Sequence, residues 1–444
     1  MIGTASLSLS EERLWRAEQA GDGAAPFIEC PRAFALVRRL RGPLDVAVLA
    51  EVLTELLLRH EVLRSRFLAC ADGTPMRIID PPHAVAVPVT DLEPGSDDAV
   101  VGRAVAEEIA RPIDLTAGLL LRARLLRLAD ADHVLVIVIH HIVFDGWSCH
   151  VFWGEFSAAY PARLTGQPVA LPPAPRYVDY VAAQRKWLGS ESARLSRQYW
   201  AKRLRGAQPS TLPGDREAPA APTTESGCER FLIAPAEADR LRRFGRDYGA
   251  VPAITATALL LLLLHLRTDA EDLLVGSPIA DRSYSGFDAA VGLFLNLALL
   301  RVDFSSDPTF VELLGRVRRT CLEAYGHSQL PYDLIRVPLP DGASAEAPVP
   351  RIICNAITTR PTPRLGDLVA EPVDMKWATP SHADVSIHLL DTGEKMMGHV
   401  LYKSAMYSQP YVQDFIRQLV ALVPQVVDNP TRRLSHYAAV VACA

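Results

Sequence analysis

The stretch that decides the fold runs from His133 to His150, HVLVIVIHHIVFDGWSCH. Its first part, Val134 to Ile139, is an unbroken run of β-branched and leucine side chains, which predicts a strand buried on both faces of a sheet. A helical pattern begins at about Trp147. The stretch is therefore a strand, a tight loop and a helix, and its polar and glycine residues lie together at the joint: His140, His141, Asp145 and Gly146.

This joint is suited to acid–base chemistry. Side chains alternate across a strand, so His140 and His141 point to opposite faces, and one can face a cavity while the other braces the turn. Asp145 could orient an imidazole, or pair with an arginine and lock the loop. Gly146 lets backbone N–H groups approach a ligand where the helix start favours an oxyanion. Two other interpretations stay open. The histidines could be core residues whose hydrogen bonds are all made within the protein, with Asp145 as a helix N-cap, or the residues could bind a metal. The metal site is disfavoured because neighbouring strand residues diverge and no second His/Cys cluster is evident.

Length and composition bound the class of protein. A chain of 444 residues exceeds one ordinary core and predicts two domains. The net charge of −5 and the absence of a basic run interleaved with aromatics argue against nucleic-acid binding. Seven scattered cysteines without CxxC spacing indicate reduced thiols in a cytoplasmic protein, and no signal peptide is apparent. The longest apolar stretch, Ala258 to Leu264, is far shorter than the ~20 residues of a membrane span and predicts a buried helix.

The rest of the chain mixes strands and helices. In the first half the patterns predict strands at 34–40, 76–79, 86–89 and 119–128, a helix capped by Asp45, and a helix at 98–110. This mixture predicts an α/β sandwich, and the first domain closes near Pro172 to Pro175. The second half has the same mixture, so two similar domains with a cleft between them are expected. Within it, Asn296 lies inside an apolar run and needs a hydrogen-bond partner, either structural or on a substrate.

Several segments match one family. His140 to Gly146, HHIVFDG, resembles the HHxxxDG signature of nonribosomal peptide synthetase condensation domains, within the chloramphenicol-acetyltransferase-like superfamily. Further matches follow in family order: SLSEERLW at 8–15 is similar to SxAQxRLW, RHEVLRSRF at 59–67 to RHExLRTxF, YVDY at 177–180 to YxDFA, GLFLN at 292–296 to GxFVN, and, more weakly, HSQLPYD at 327–333 to HQDYPFE. Together these segments span almost the whole chain.

The resemblance implies an architecture. It predicts an α/β fold of two acetyltransferase-like subdomains, residues 1–175 and 176–444, arranged in a V as a pseudo-dimer with a central tunnel. A floor loop is expected at about 276–282 and a latch at about 375–386, both placed by order along the chain. A donor acyl group would arrive on the phosphopantetheine of a carrier protein from one side, and an acceptor from the other.

The resemblance also implies roles for single residues. His141 is the cavity-facing general base or positioner of the nucleophile, with His140 beside it, and Gly146 brings backbone close to the thioester carbonyl. Asp145 pairs with Arg64 and is structural. Four further residues are predicted to line the tunnel: Trp147, Ser148, Asn296 and Arg282. No metal and no cofactor bound by this chain is expected, since the substrate is carried on phosphopantetheine.

The predicted function is transfer of a carrier-bound acyl or aminoacyl thioester to an amine or hydroxyl, forming an amide or ester. An acyl-CoA-dependent acyltransferase and a non-catalytic recruitment domain are the alternatives. The resemblance begins within ten residues of Met1, and no Gly-Gly-x-Ser carrier signature is present. We therefore expect a free-standing monomer that meets its carrier protein in trans, with a small molecule or a second carrier protein as acceptor, and without nucleic-acid or membrane partners.

Overall fold

The computed structural model describes residues 3–20, 32–93, 95–217, 225–282, 286–335, 348–358, 365–373 and 383–443. The strands are β1 (Gly3–Ala5), β2 (Ala33–Arg41), β3 (Ser65–Ala69), β4 (Pro75–Ile79), β5 (Val89–Asp91), β6 (Leu121–Ala129), β7 (Asp132–His140), β8 (Ser226–Ile233), β9 (Asp272–Ala280), β10 (Leu295–Asp303), β11 (Ile352–Thr358), β12 (Val369–Pro372), β13 (Val385–Asp391) and β14 (Met396–Lys403). The helices are α1 (Leu9–Ala20), α2 (Val46–Arg59), α3 (Asp98–Ala110), α4 (Gly146–Leu164), α5 (Tyr177–Leu188), α6 (Glu191–Arg203), α7 (Pro235–Asp247), α8 (Pro252–Thr268), α9 (Phe310–Gly326), α10 (Tyr332–Ile335), α11 (Gln409–Asp428) and α12 (Ala438–Cys443). Short 3₁₀ helices cover Glu61–Arg64, His141–Val143 and Leu434–Tyr437.

The predicted central strand is β7, the middle strand of a five-stranded sheet with the order β12-β2-β7-β6-β5. Its alternate residues pack on two different cores, as the unbroken apolar run predicted. Leu135, Ile137 and Ile139 face the core beneath α2 and α4, and the valines between them face a smaller cluster that includes α3. Antiparallel pairing with β2 and β6 holds β7 along its whole length.

The second half is built on a six-stranded sheet with the order β10-β9-β11-β13-β14-β8. Its largest core packs α7, α8, α9 and α11 against this sheet. The run Ala258 to Leu264 is fully buried within α8, which confirms the predicted buried helix. Among the described residues no single helix is long and apolar enough to span a bilayer, and α7 with α8 meets that length only as a pair bent by 105°.

Three parts of the second half pack with the first: β12, Tyr177 and Phe294. β12 pairs antiparallel with β2, from Val369 opposite Arg41 to Pro372 opposite Arg38, so a late part of the chain adds an edge strand to the early sheet. Tyr177 and Phe294 are buried in the core beneath α2 and α4. Of the predicted latch at 375–386, residues 375–382 lie outside the described residues and 383–386 lead into β13, so the crossing strand that the structure does describe, β12, precedes the predicted latch. The boundary at 175/176 stays a prediction.

The expected floor loop at 276–282 is wrong over most of its length, because β9 continues to Ala280. Gly276 and Pro278 locally favour a loop, but β9 pairs residue for residue with β10, from Ala280 opposite Leu295 to Asp272 opposite Asp303. Gly276 serves packing, since a Cβ there would lie 2.7 Å from the Ile353 side chain.

The expected strand at 86–89 is also wrong: β5 covers Val89–Asp91, because Pro88 has no N–H to give to a ladder.

Candidate active site

The helix α4 begins at the joint that the sequence singled out. Asp145 is its N-cap, and its Oδ1 accepts hydrogen bonds from the backbone N of Ser148 and lies 2.7 Å from the Ser148 hydroxyl. A carboxylate in this position satisfies N–H groups that the first turn leaves without intrahelical partners. The N-cap interpretation of Asp145 is therefore correct, and it coexists with a second role described below.

His140 braces the turn between β7 and the following 3₁₀ helix. Its Nδ1 accepts a hydrogen bond from the backbone N of Ile142 at 3.1 Å, and its Nε2 lies 3.5 Å from Oε1 of Glu18. The hydrogen bond from His140 lowers the pKa of Glu18 below its ordinary value. His140 thus joins the end of β7 to α1.

His141 occupies a different environment from its neighbour. Its side chain is buried, its backbone N donates to the carbonyl of Arg32 at 2.9 Å, and its ring meets the edge of Phe34, with ring centroids 5.6 Å apart. Phe34 also contacts Phe144 in the same edge-on manner. An aromatic ring therefore packs against the His141 ring, whereas backbone and carboxylate groups contact His140.

Asp145 also ties α4 to the second half of the chain. Its Oδ2 accepts from the backbone N of Phe294 at 3.0 Å, and its Oδ1 lies 3.3 Å from Nη2 of Arg282. The hydroxyl of Ser148 accepts from the N of Gly292 at 3.0 Å and lies 2.9 Å from the carbonyl oxygen of the same residue. Asp145 and Ser148 thus fix the start of α4 against residues 292–294.

The predicted pair of Asp145 with Arg64 is wrong, because the arginine that reaches Asp145 is Arg282. Arg64 ends the 3₁₀ helix before β3, and its guanidinium donates to the carbonyl of Asp80. The backbone N of Asp80 returns a hydrogen bond to the Arg64 carbonyl at 2.9 Å. Arg64 is therefore held at the end of the small sheet formed by β1, β4 and β3, where it binds the residue that follows β4.

Arg282 is the centre of this junction, and its predicted place along a tunnel stays a prediction. Its side chain is only 6% exposed, and Nη1 donates to the carbonyls of Phe287 and Ala290 at 2.7 and 2.8 Å. The guanidinium lies 3.9 Å from the centre of the Phe294 ring, and burial lowers its pKa. One arginine thereby holds residues 287–290 against the start of α4.

Open space lies beside Gly146, at the start of α4. A Cβ added to Gly146 would meet no atom of the described residues within 4 Å. Trp147 is 40% exposed and its Nε1 donates to the carbonyl of Asp288 at 2.9 Å. By contrast, a Cβ on Gly292 would lie 2.1 Å from the Tyr177 ring, so only glycine fits there. The helix start therefore has access to space on one side and tight packing on the other.

The sequence left open whether the hydrogen-bond partners of Asn296 are structural or on a substrate, and the structure shows protein partners. Its Nδ2 donates to the carbonyls of Ser328 and Leu330, and its Oδ1 accepts from the backbone N of Leu297 and of Tyr332, all between 2.7 and 2.9 Å. Both donors and both acceptor positions of the amide are used. Asn296 is thus a structural residue, and the tunnel-lining role predicted for it is not what the structure describes.

Sequence reasoning missed two contributors to the site, Glu18 and Phe34. Glu18 lies in the helix whose motif the sequence did identify, but nothing in the motif points to His140. Phe34 lies in the predicted strand at 34–40, but only the observed pairing of β2 with β7, which sets Phe34 opposite Ile139, brings it to this site. Within the part of the chain that the structure describes, no group of three or more His, Cys, Asp or Glu side chains is placed to hold a metal ion.

The family comparison agrees with this geometry. The family model described as "Condensation domain" matches residues 2–442, nearly the whole chain. The chain belongs to the condensation-domain family. The joint between β7 and α4 carries the segment HHIVFDG of this condensation domain, at residues 140–146.

The relatives of this condensation domain are much larger proteins, and the domain matches only a part of each. A linear gramicidin synthase of Brevibacillus parabrevis is 32% identical over 97% of the chain, but the chain covers only 8% of that protein's length. Among the solved structures that resemble the whole domain are a condensation domain and an X-domain. The first condensation domain of the calcium-dependent antibiotic (CDA) synthetase shares the fold, with a TM-score of 0.82 at 20% identity, covering 97% of this chain and 98% of the other. The X-domain from teicoplanin biosynthesis has a TM-score of 0.77 at 26% identity, covering 97% and 96%.

Proposed function

We propose that this condensation domain is catalytic, and that it transfers an acyl or aminoacyl group from the phosphopantetheine thioester of a carrier protein to an amine or hydroxyl acceptor. The observation that carries this proposal is the junction around Asp145. Its carboxylate holds the start of α4 and the chain at Phe294 together, while the space before Gly146 stays open. Such rigid support beside an open space is what a reaction between two tethered or bound substrates requires.

The chemistry proceeds without a covalent enzyme intermediate. The acceptor nitrogen or oxygen attacks the thioester carbonyl carbon, and its proton passes to His141. The carbonyl oxygen becomes an oxyanion in front of the first turn of α4, where partial positive charge and the small Gly146 favour it. The C–S bond then breaks, the carbonyl re-forms as an amide or ester, and the pantetheine sulfur leaves with the proton.

Proximity and general-base catalysis contribute unequally. Holding two reactants in one geometry can supply ~7–11 kcal/mol of the barrier, whereas one general base gives ~10²–10⁴-fold. An amine that reaches the site unprotonated needs the base less than a hydroxyl does. Asp145 and Arg282 position the loop and do not touch the reacting atoms.

Two other functions make different demands. An acyltransferase that uses diffusible acyl-CoA would not need a carrier protein. A recruitment domain would bind a second enzyme and transfer nothing, and the resemblance to the X-domain, which has been solved in complex with OxyB, favours keeping this candidate. The His-His-Asp-Gly set of this chain supports transfer.

The test supplies the same acyl group in two forms, on a phosphopantetheinylated carrier protein and on CoA, together with a panel of amine and hydroxyl acceptors. Mass spectrometry of the products is the readout. The proposal expects a new amide or ester from the carrier-bound donor, formed faster than from acyl-CoA. Equal or faster transfer from acyl-CoA would favour the diffusible-donor alternative. Absence of transfer from every donor, with intact folding, would favour recruitment.

A further inference from the structure

Arg38 lies on the same face of the sheet as the His141 site. Residues 34, 36, 38 and 40 of β2 share a face, because side chains alternate along a strand. Leu36 and Leu40 of this set are buried in the core beneath α4, and Phe34 contacts the His141 ring. Arg38 follows Phe34 by four residues, which places it about 13 Å further along the strand.

Arg38 carries a charge that no acidic side chain of the described residues balances. Its Nη1 donates to the carbonyl of Val37, and its guanidinium stacks on the Trp153 ring at 5.2 Å. Its Nε is buried without a hydrogen-bond partner, and no described carboxylate forms an ion pair with it. The neighbouring thiol of Cys149 cannot supply the missing charge, since burial raises the pKa of Cys149 to about 11.

The next residue, Arg39, has the acidic partner that Arg38 lacks. Arg39 points to the opposite face and binds Asp132 with two hydrogen bonds, at 2.8 and 2.6 Å. The guanidinium of Arg39 is thus neutralised by a bidentate partner. Arg38 and Arg39 therefore differ because the described residues place a carboxylate on the Arg39 face of the sheet and none beside Arg38.

A second buried donor lies beside Arg38. Trp153 is 3% exposed, and its indole Nε1 has no hydrogen-bond partner in the described part of the chain. A buried donor left without an acceptor costs about 1–3 kcal/mol, which is why such donors in folded proteins almost always have partners. Two unpartnered donors, one of them cationic, thus lie on one helix–strand interface that begins at the proposed reaction site.

We infer that Arg38 and Trp153 bind a carboxylate carried by one of the two substrates, remote from the reacting atoms. A carboxylate supplies an acceptor oxygen for each donor and the negative charge that Arg38 lacks. This inference rests on the proposed function, because it assigns a substrate class to the same site. The carboxylate could belong to the donor, as an ω-carboxyacyl group, or to the acceptor, as a free amino acid.

The test measures binding by calorimetry, so that it does not depend on turnover. Donor probes are amide analogues of acyl-pantetheine that cannot react, in a series from succinyl to dodecanedioyl, each paired with the alkanoyl chain of the same length. Acceptor probes are amino acids, each paired with its carboxamide. The variants are Arg38→Met, Arg38→Lys and Trp153→Phe, with Arg39→Met as the matched control on the other face of β2.

The inference expects the wild-type protein to prefer the carboxylate in one of the two arms by about ten- to hundredfold. Arg38→Met should abolish that preference, Trp153→Phe should reduce it, and Arg38→Lys and Arg39→Met should keep most of it. If Arg38→Met does not fold, Trp153→Phe alone decides. Equal binding of carboxylate and neutral probes in both arms would overturn the inference. Carboxylate binding in a protein that transfers nothing would instead count against the proposed function.

Discussion

Two buried ion pairs support the segment 292–294, and they differ in how completely they are hydrogen-bonded. The carboxylate of Asp145 has four partners: Arg282, the N of Phe294, and the N and hydroxyl of Ser148. Glu11 and Arg77 meet at 2.6 Å and are both fully buried, yet Oε1 of Glu11 and two guanidinium nitrogens of Arg77 have no partner among the described residues. This second pair supports the segment indirectly, through Tyr177. The Arg77 guanidinium lies 5.0 Å from the Tyr177 ring, and the Tyr177 hydroxyl donates to the carbonyl of Leu293.

The contrast teaches that burial alone does not measure the worth of an ion pair. Removing charges from water is costly, and the cost is recovered only when the remaining donors and acceptors are satisfied. The Asp145 carboxylate meets this condition and also links two distant parts of the chain, and in this pair only Nε of Arg282 has no partner among the described residues. The pair of Glu11 and Arg77 does not meet it, so we expect it to contribute far less to stability.

The largest effect is expected from Asp145→Ala. This change leaves Arg282 as a buried charge without its ion-pair partner and removes the cap of α4, so the free energy of unfolding should fall by about 3–5 kcal/mol. Urea denaturation measures the loss. The matched control is Asp132→Ala, which breaks the more exposed pair with Arg39 and should cost about 1 kcal/mol or less. Equal losses for the two variants would mean that the junction does not depend on Asp145.

A smaller effect is expected from Arg282→Met. The Asp145 carboxylate keeps its other three donors, so the loss should be about 1–3 kcal/mol. Arg64→Met tests the partner choice directly, because Arg64 gives a single hydrogen bond to a backbone carbonyl and should cost about 1 kcal/mol. Both are measured by chemical denaturation in parallel. A larger loss for Arg64 than for Arg282 would contradict the partner assignment of Asp145.

The double variant Glu11→Met with Arg77→Met should be close to neutral. Replacing a buried ion pair by apolar side chains of similar volume is often neutral or stabilising by about 1–4 kcal/mol, and here it also removes three unpartnered polar atoms. The midpoint of thermal unfolding is the measurement. A destabilisation as large as that of Asp145→Ala would show that both junctions are equally important and remove the contrast.

The smallest effect is expected in how stability depends on pH, and Glu11→Gln tests it. Burial raises the pKa of Glu11 above its ordinary value of 4.5, so the folded protein holds this proton more tightly than the unfolded chain does. The stability that this proton contributes is complete below pH 4.5 and is lost as the pH rises through the raised pKa. Glutamine cannot ionise, so the stability of the variant should fall less over that pH range than the stability of the wild type does. A steeper loss in the variant would contradict this sign.

Local signals in the sequence predicted the elements of the site well. The apolar run of β7 and the helical period after Trp147 are set by neighbours in the chain, and the structure confirms both. The Asp45 cap of α2 is another such local feature, with hydrogen bonds from the N of Ala47 and Val48. These features depend on interactions within a few residues, which one sequence contains.

Partners distant in sequence could not be chosen from the sequence. Arg282 is 137 residues from Asp145, and among 46 lysines and arginines no local pattern selects it. The same limit explains the floor-loop error, since Gly276 and Pro278 predict a loop until pairing with β10 is known. The sequence could not show that Arg38 lacks an acidic partner either. That fact becomes visible only when the residues around Arg38 in the folded chain are known.

The central claim is that His141 takes part in acyl transfer at the joint between β7 and α4. The most direct test compares the wild type with His141→Ala at saturating carrier-bound donor, with the thermal unfolding of both proteins measured in the same buffer. Loss of the general base should lower the rate of product formation by ~10²–10⁴-fold, with the larger loss for a hydroxyl acceptor, while the unfolding midpoint stays close to that of the wild type. Turnover by His141→Ala near the wild-type rate would contradict the account.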